Sequence, residues 1–210
     1  MSEKKFEHVN NVVDANQVVV VAATAAAEIF NAGRIAKQLS LVAKNARTVV
    51  LRAGGAALGF KVVSDFFVEL STSSISLVAQ VNDVAIDLSR GAIRCWHAND
   101  LNQRLQHALV LSAKTAHADS IKVIVCRAGE ESKVLNAQLK KQTTKLSGLV
   151  DDIQQKMRAG KVISIISRIE ASRAGEFRQA LEEMADKVEA LTEQMIVHIQ
   201  TAMKQLENAK

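Results

Sequence analysis

The sequence contains no proline and no tyrosine, and aromatic residues make up only 3% of its 210 positions. Without proline, and with nine glycines scattered along the chain, almost nothing interrupts a helix over long distances. The scarcity of aromatic residues excludes a core filled mainly by bulky rings, although 48% of the residues are hydrophobic. Alanine, valine and leucine suit seams in which helix packs against helix. The composition therefore predicts an all-α protein built from long helices.

Long hydrophobic runs are also missing. The longest apolar stretch, residues 18–27, is about half of the ~20 residues that cross a bilayer, so the sequence predicts no membrane-spanning helix and does not favour a membrane as partner. The N-terminal residues lack the apolar segment of a secretory signal, which favours a cytoplasmic location. The two cysteines, Cys95 and Cys126, have no CxxC spacing and fit a reducing compartment.

Charge and motifs limit the possible functions further. The net charge of +5 is modest, and we expect the basic residues to be interspersed with acidic ones, which argues against nucleic acid as a partner. No nucleophile–base motif and no GxxxxGK[ST] phosphate loop occurs, so the sequence does not predict an enzyme. Cys95 and His97 could ligate a metal or haem, but their spacing puts them on different sides of a helix. We therefore predict no metal and no cofactor.

Apolar residues recur with alternating steps of three and four, which is the period of a coiled-coil seam. Shorter runs of this kind fall within residues 35–49, 139–157 and 177–203, so four helical arms are predicted. The longest run covers five heptads and consists of Phe60, Val63, Phe67, Leu70, Ser74, Leu77, Val81, Val84, Leu88, Gly91 and Cys95.

The turns between these arms are predicted from glycine and capping residues. Residues 54–59 contain three glycines and form the best candidate, and residues 158–161 form a second. The middle connection is expected near residues 98–100 or 118–120, where Asn, Asp or Ser could cap a helix. The predicted layout is one hairpin over residues 1–115, with its tip near 52–60, and a second over 116–210. Together they would close into one elongated, antiparallel, coiled-coil-like four-helix bundle.

Residues 35–70 read IAKQLSLVAKNARTVVLRAGGAALGFKVVSDFFVEL. They contain an IA-x-Q-x-x-L-x-A-x-NA segment, an RAG turn, and GF-x-VV-x-D followed by leucine. In this order and spacing, the motifs resemble the signalling hairpin tip of bacterial methyl-accepting chemotaxis receptors. The matching positions are Ile35, Ala36, Gln38, Leu41, Ala43, Asn45, Ala46, Arg52, Ala53, Gly54, Gly59, Phe60, Val62, Val63, Asp65 and Leu70.

The resemblance implies a tip that docks a histidine kinase with its coupling adaptor and packs receptor dimers together. Two acidic positions of the family pattern are missing, because Val49 precedes the turn arginine by three residues and Gly55 follows the turn glycine. The positions that the resemblance marks as the partner-binding tip are Asn45, Arg52, Gly54, Gly59, Phe60 and Val62.

A second segment, residues 168–194, also resembles the receptor tip and keeps acids at both positions, Glu170 and Glu176. A shift of 121 residues aligns the two segments without gaps and pairs Arg52 with Arg173. Either the chain contains a diverged duplication, or heptads and a shared RAG produce the match.

The leading functional hypothesis is a cytoplasmic chemoreceptor-like signalling or scaffold protein that acts by helix–helix docking. Its expected partners are further copies of itself, chemoreceptors, or a histidine kinase with its adaptor. One alternative is a membrane-active, pore-forming helical bundle, which would release the apolar stretches 18–27 and 49–63. Another is a purely structural coiled-coil protein.

Overall fold

A computed structural model describes residues 15–112 and 118–207. The elements in chain order are α1 (Ala15–Ala53), a 3-10 turn (Gly54–Ala57), α2 (Leu58–Ser112), α3 (Ala118–Ser172), a second 3-10 turn (Gly175–Phe177) and α4 (Arg178–Glu207). No strand occurs within the described residues, and the all-α prediction is confirmed.

The structure confirms one predicted turn, overturns a second, and decides between the two options for the middle connection. The chain reverses at Gly54–Ala57, as the glycines of residues 54–59 predict. The turn predicted at residues 158–161 is wrong, because α3 continues through it. Gly160 permits close helix packing instead of ending the helix, since a β-carbon there would approach Leu70 Cδ2 to 2.8 Å. For the middle connection, the option at residues 98–100 is wrong, because α2 continues through it and Asn99 is buried among polar partners. Helix α3 begins at Ala118, which agrees with the option at residues 118–120.

Residues 24–83 and 146–207 form one compact unit, to which all four helices contribute a segment. We call it the four-helix unit. The tight turns make α1 antiparallel to α2 and α3 antiparallel to α4. Its largest fully buried side chains are Phe60, Phe67, Ile29, Leu39, Leu146, Ile153, Met157, Leu181, Met195, Ile199 and Val81.

Residues 15–23, 84–112 and 118–145 belong to a second compact unit, made of segments of α1, α2 and α3. We call it the three-segment unit. Its core is smaller and contains several small side chains. The buried apolar residues are Ala22, Val84, Ala85, Leu88, Ala92, Cys95, Ala128 and Leu139.

The long heptad run along α2 lies on the buried face of that helix. All of its positions are buried except Leu77 and Gly91, which are half-buried. Ser74 interrupts the apolar seam, and its hydroxyl donates a hydrogen bond of 2.7 Å to the carbonyl of Leu70. This bond satisfies the hydroxyl within its own helix, so a polar residue is tolerated in the seam.

One stretch meets the length and composition criterion for a membrane span. The stretch is Val19–Ser112, near the N-terminus of the chain, and it contains an 18-residue window with a mean hydropathy of 1.4, of which 33% is buried. The core helix of a soluble protein meets the same criterion, so the absence of a membrane-spanning helix stays a prediction.

We expect Leu70→Ala to lower the free energy of unfolding by about 2–4 kcal/mol, because Leu70 is buried between helices and a cavity would remain. Urea denaturation measures this loss. Leu41→Ala is the matched control, since Leu41 is 62% exposed and its truncation should change stability by no more than ~0.5 kcal/mol. Equal losses in both variants would show that the seam is assigned to the wrong face.

Candidate functional site

The first tip is the reversal between α1 and α2. Gly54 has a φ of 58°, in the left-handed region where a β-carbon is disfavoured. Gly55 follows without a positive φ, and neither glycine has a neighbour within 4 Å of the position that a β-carbon would take. Glycine is therefore required at position 54 by backbone conformation and not by crowding.

The second tip is the reversal between α3 and α4, and its glycine has the same backbone conformation as Gly54. Gly175 has a φ of 57°, and it follows Arg173 and Ala174 as Gly54 follows Arg52 and Ala53. The amide of Arg173 donates a hydrogen bond of 3.2 Å to the carbonyl of Glu170, and the amide of Ala174 donates one of 3.1 Å to Ala171. These bonds close the last turn of the helix before the chain reverses.

The two tips share one hydrophobic core. Phe60 is 2% exposed and lies at the start of α2, beneath the first tip. Val49, Ala53, Phe177 and Met184 are half-buried against the same cluster. The buried members come from both hairpins and are Ala46, Val50, Ala57, Phe60, Ala171, Ala174, Leu181 and Ala185. The tips therefore lie together at one end of the four-helix unit.

The structure separates the six predicted tip residues into surface and interior positions. Asn45, Arg52 and Gly54 are exposed, and Val62 is 71% exposed. Arg52 has no ion-pair partner among the described residues. Phe60 is buried and supports the tip from inside. The remaining residue, Gly59, is half-buried.

Gly59 lies against a residue of the other hairpin. A β-carbon at this position would overlap the carboxylate of Glu170, which also pairs with Arg173 at 3.2 Å. The shift of 121 residues pairs Glu170 with Val49 and Gly59 with Ala180. Glu170 of the second tip thus lies against Gly59 of the first hairpin. The equivalent positions hold Val49 and Ala180, so the same pair of residue types is not repeated there. The spacing of the motifs alone does not reveal this contact.

Burial follows the same shift along both hairpins of the four-helix unit. Even a buried hydroxyl is matched: Ser71 donates to the carbonyl of Phe67, and its equivalent Thr192 donates to the carbonyl of Val188. Other pairs buried in both hairpins are Ala25 with Leu146, Ile29 with Val150, Ala32 with Ile153, Ala36 with Met157, Leu39 with Gly160, Ala46 with Ser167, Val50 with Ala171, Phe60 with Leu181 and Phe67 with Val188. At these positions the two hairpins therefore match in register.

Ion pairs are dense on the second hairpin. Arg168 of α3 contacts Asp186 at 2.9 Å and Glu189 at 2.8 Å, both on α4, and the hydrogen bond to Asp186 raises the pKa of Arg168. Within α4, Lys187 pairs with Glu183 at 2.6 Å. Asp186, Glu189 and Glu183 are thus already paired with cations of their own hairpin.

A separate polar cluster is buried in the three-segment unit. Cys95 donates a hydrogen bond of 3.1 Å to Asn136 Oδ1, and the Asn136 amide donates one of 3.1 Å to Asn99 Oδ1. Ser132 also donates to Asn99. Burial raises the pKa of the Cys95 thiol, so the thiol stays protonated and is a poor nucleophile. The arrangement suits a structural role, in which polar partners fix the register of α2 against α3.

Neither cysteine lies in a cluster of possible metal ligands among the described residues. Within residues 15–112 and 118–207, no group of three or more His, Cys, Asp or Glu side chains could hold a metal ion. His97 stacks edge-on against Trp96, with ring centroids 4.9 Å apart, and Cys126 is exposed. His198 lies in the four-helix unit and contacts Glu28 Oε2 through Nδ1 at 2.6 Å.

Comparison with protein-family models, curated proteins and solved structures finds no match to this chain.

We expect Gly54→Ala to lower the free energy of unfolding of the four-helix unit by about 1–2 kcal/mol, the cost of the left-handed conformation for a residue with a β-carbon. Gly55→Ala is the adjacent control and should stay within ~0.5 kcal/mol of the parent. Urea denaturation of both variants measures the difference. An equal effect at the two glycines would contradict the assigned backbone conformation.

We expect Asn136→Ala to cost about 1–3 kcal/mol, because it removes the hydrogen-bond partner of Cys95 and of Asn99 inside the three-segment unit. Hydrogen exchange along α2 and α3 would locate the loss. Gln138→Ala on the exposed side of α3 is the control and should leave protection unchanged. A tolerated Asn136→Ala would show that the polar cluster does not hold the two helices together.

Proposed function

We propose that this chain is a cytoplasmic, chemoreceptor-like signalling or scaffold protein that acts by helix–helix docking at its tips. The observation that carries the proposal is the pair of matched reversals. Both occur at an Arg-Ala-Gly sequence, both glycines have a positive φ, and both lie over one shared core. A single chain therefore presents two copies of the structural element that the family resemblance assigns to docking.

The chemistry of the first tip supports docking of a protein surface. Arg52 is exposed without an ion pair among the described residues, and Leu51, Leu58 and Val62 expose large apolar side chains nearby in sequence. Apolar side chains together with arginine are typical of the centres of protein interfaces. The second tip differs, because its equivalent arginine, Arg173, is paired with Glu170. We infer that the first tip binds the partner and that a histidine kinase with its adaptor, a chemoreceptor or a second copy is the partner.

The packing favours this function over a membrane-active bundle. The apolar stretches that such a bundle would release contribute Ala25, Val50 and Phe60 to the core of the four-helix unit. Their release would expose this buried surface to water before a membrane could cover it, and each large side chain contributes roughly 1.5–3 kcal/mol when buried. Docking through exposed tip residues requires no such opening.

Arg52→Ala tests the proposal. Truncation of an exposed arginine should leave the melting temperature nearly unchanged, whereas loss of an interface anchor commonly costs 2 kcal/mol or more, about 30-fold in affinity. Binding to the purified kinase and adaptor of the same organism, and to the chain itself, would be measured by calorimetry and sedimentation.

Arg158→Ala, on the exposed side of α3, controls for the loss of one charge, and Arg173→Ala asks whether the second tip takes part. Phe60→Ala should weaken both folding and binding, because Phe60 lies in the core beneath the tip. Full binding by Arg52→Ala, or no binding by the parent protein to any of these partners, would refute docking at the first tip.

A further inference from the structure

The cationic excess of the chain lies in one segment. Between Glu28 and Asp65 there are six Lys and Arg residues and no acid, so residues 29–64 carry a charge of +6 and the rest of the chain carries −1. The expectation that basic residues are interspersed with acidic ones is therefore wrong for this segment. Among the described residues, Arg47 alone of these six cations has an ion pair, with Asp65 at 3.4 Å.

Three of these cations share one exposed face of α1 with two large apolar side chains. The residues follow one another at steps of four, three, four and three, which places them within a narrow arc of the helix. Phe30 is 61% exposed and Leu41 is 62% exposed. We define the basic face as Phe30, Arg34, Lys37, Leu41 and Lys44, all of them exposed; it is about 21 Å long at 1.5 Å per residue.

The residues of the basic face do not suit docking by another helix. A coiled-coil seam needs apolar residues at successive positions of the heptad, but Arg34 and Lys37 separate Phe30 from Leu41. Helix α4 of a second copy is a poor fit as well, because four of its acids, among them Glu183 and Asp186, already pair with cations of their own hairpin. A nucleic-acid duplex would neutralise the cations but leave both apolar side chains in water.

We propose that the basic face docks on an anionic lipid bilayer, with α1 lying along the membrane surface. Lys and Arg would contact lipid phosphates and carboxylates, while Phe30 and Leu41 insert between the headgroups. A bilayer supplies negative charge and apolar depth without a fixed register, which suits apolar side chains interleaved with cations. This docking is peripheral and leaves the buried side of α1 in the four-helix unit. It goes beyond helix–helix docking at the tips and uses none of the residues assigned to them.

Vesicle flotation of the full chain tests this proposal, with phosphatidylcholine vesicles compared with vesicles that contain phosphatidylserine. The parent protein should bind only the anionic vesicles and should be released as ionic strength rises. Arg34→Gln/Lys37→Gln/Lys44→Gln should weaken binding on the order of 100-fold, at about fivefold for each cation near the surface. Leu41→Ser should weaken it about tenfold, as expected for loss of an inserted apolar side chain.

Controls come from exposed cations of the second hairpin. Arg158→Gln/Lys161→Gln/Lys204→Gln removes the same charge, and Val162→Ser alters the residue that the 121-residue shift pairs with Leu41; neither should change binding more than twofold. Equal binding to both kinds of vesicle, salt-resistant binding, or an unaffected triple variant of the basic face would overturn the proposal. So would a parent protein that ignores vesicles but binds a DNA duplex or self-associates through these cations. Kinase and adaptor are absent from the assay, so tip docking can fail or succeed independently.

Discussion

Close approach between the helices of the four-helix unit is the constraint on which most of its other features depend. Alanine dominates the buried face of α1, where Ala25, Ala32 and Ala36 have no exposed surface. Gly33 faces Val78 so closely that a β-carbon would approach its Cγ1 to 2.8 Å. Small side chains let the backbones of neighbouring helices come close together. Because the joined helices lie so close, both reversals between them must be tight. The positive-φ glycines at the tips meet that requirement.

Much of the fold could be predicted because helical periodicity is a local signal. The seam from Phe60 to Cys95 repeats in the sequence as it packs in the structure, and the glycines after Arg52 mark a real reversal. Gly160 misled the prediction, because a glycine that permits close packing against Leu70 looks the same in sequence as one that ends a helix. Asn99 misled it for a similar reason: a buried, hydrogen-bonded amide and a helix cap use the same side chain. Only the tertiary partners distinguish these roles.

The candidate site was less accessible to sequence reasoning, since its key contacts join residues far apart in the chain. Glu170 lies against Gly59, and the spacing within either tip gives no sign of it. Motif matching also placed Phe60 among the tip residues without distinguishing its buried position from the exposed ones of Arg52 and Val62. The charge asymmetry of residues 29–64, by contrast, was visible in the sequence, but the helical geometry was needed to put Arg34, Lys37 and Lys44 on one face.

The equivalence of the two hairpins has a consequence for how the four-helix unit survives dilution. When two separate chains each supply one hairpin, assembly is bimolecular and the folded fraction falls with concentration. Here both hairpins belong to one chain, so their association is intramolecular and has a fixed effective concentration. In a symmetric dimer of identical chains, equivalent positions of the two halves must hold the same residue. Two hairpins within one chain are free of that requirement. A substitution such as glycine at position 59 needs to suit only one of the two reversals, and each reversal can acquire its own chemistry.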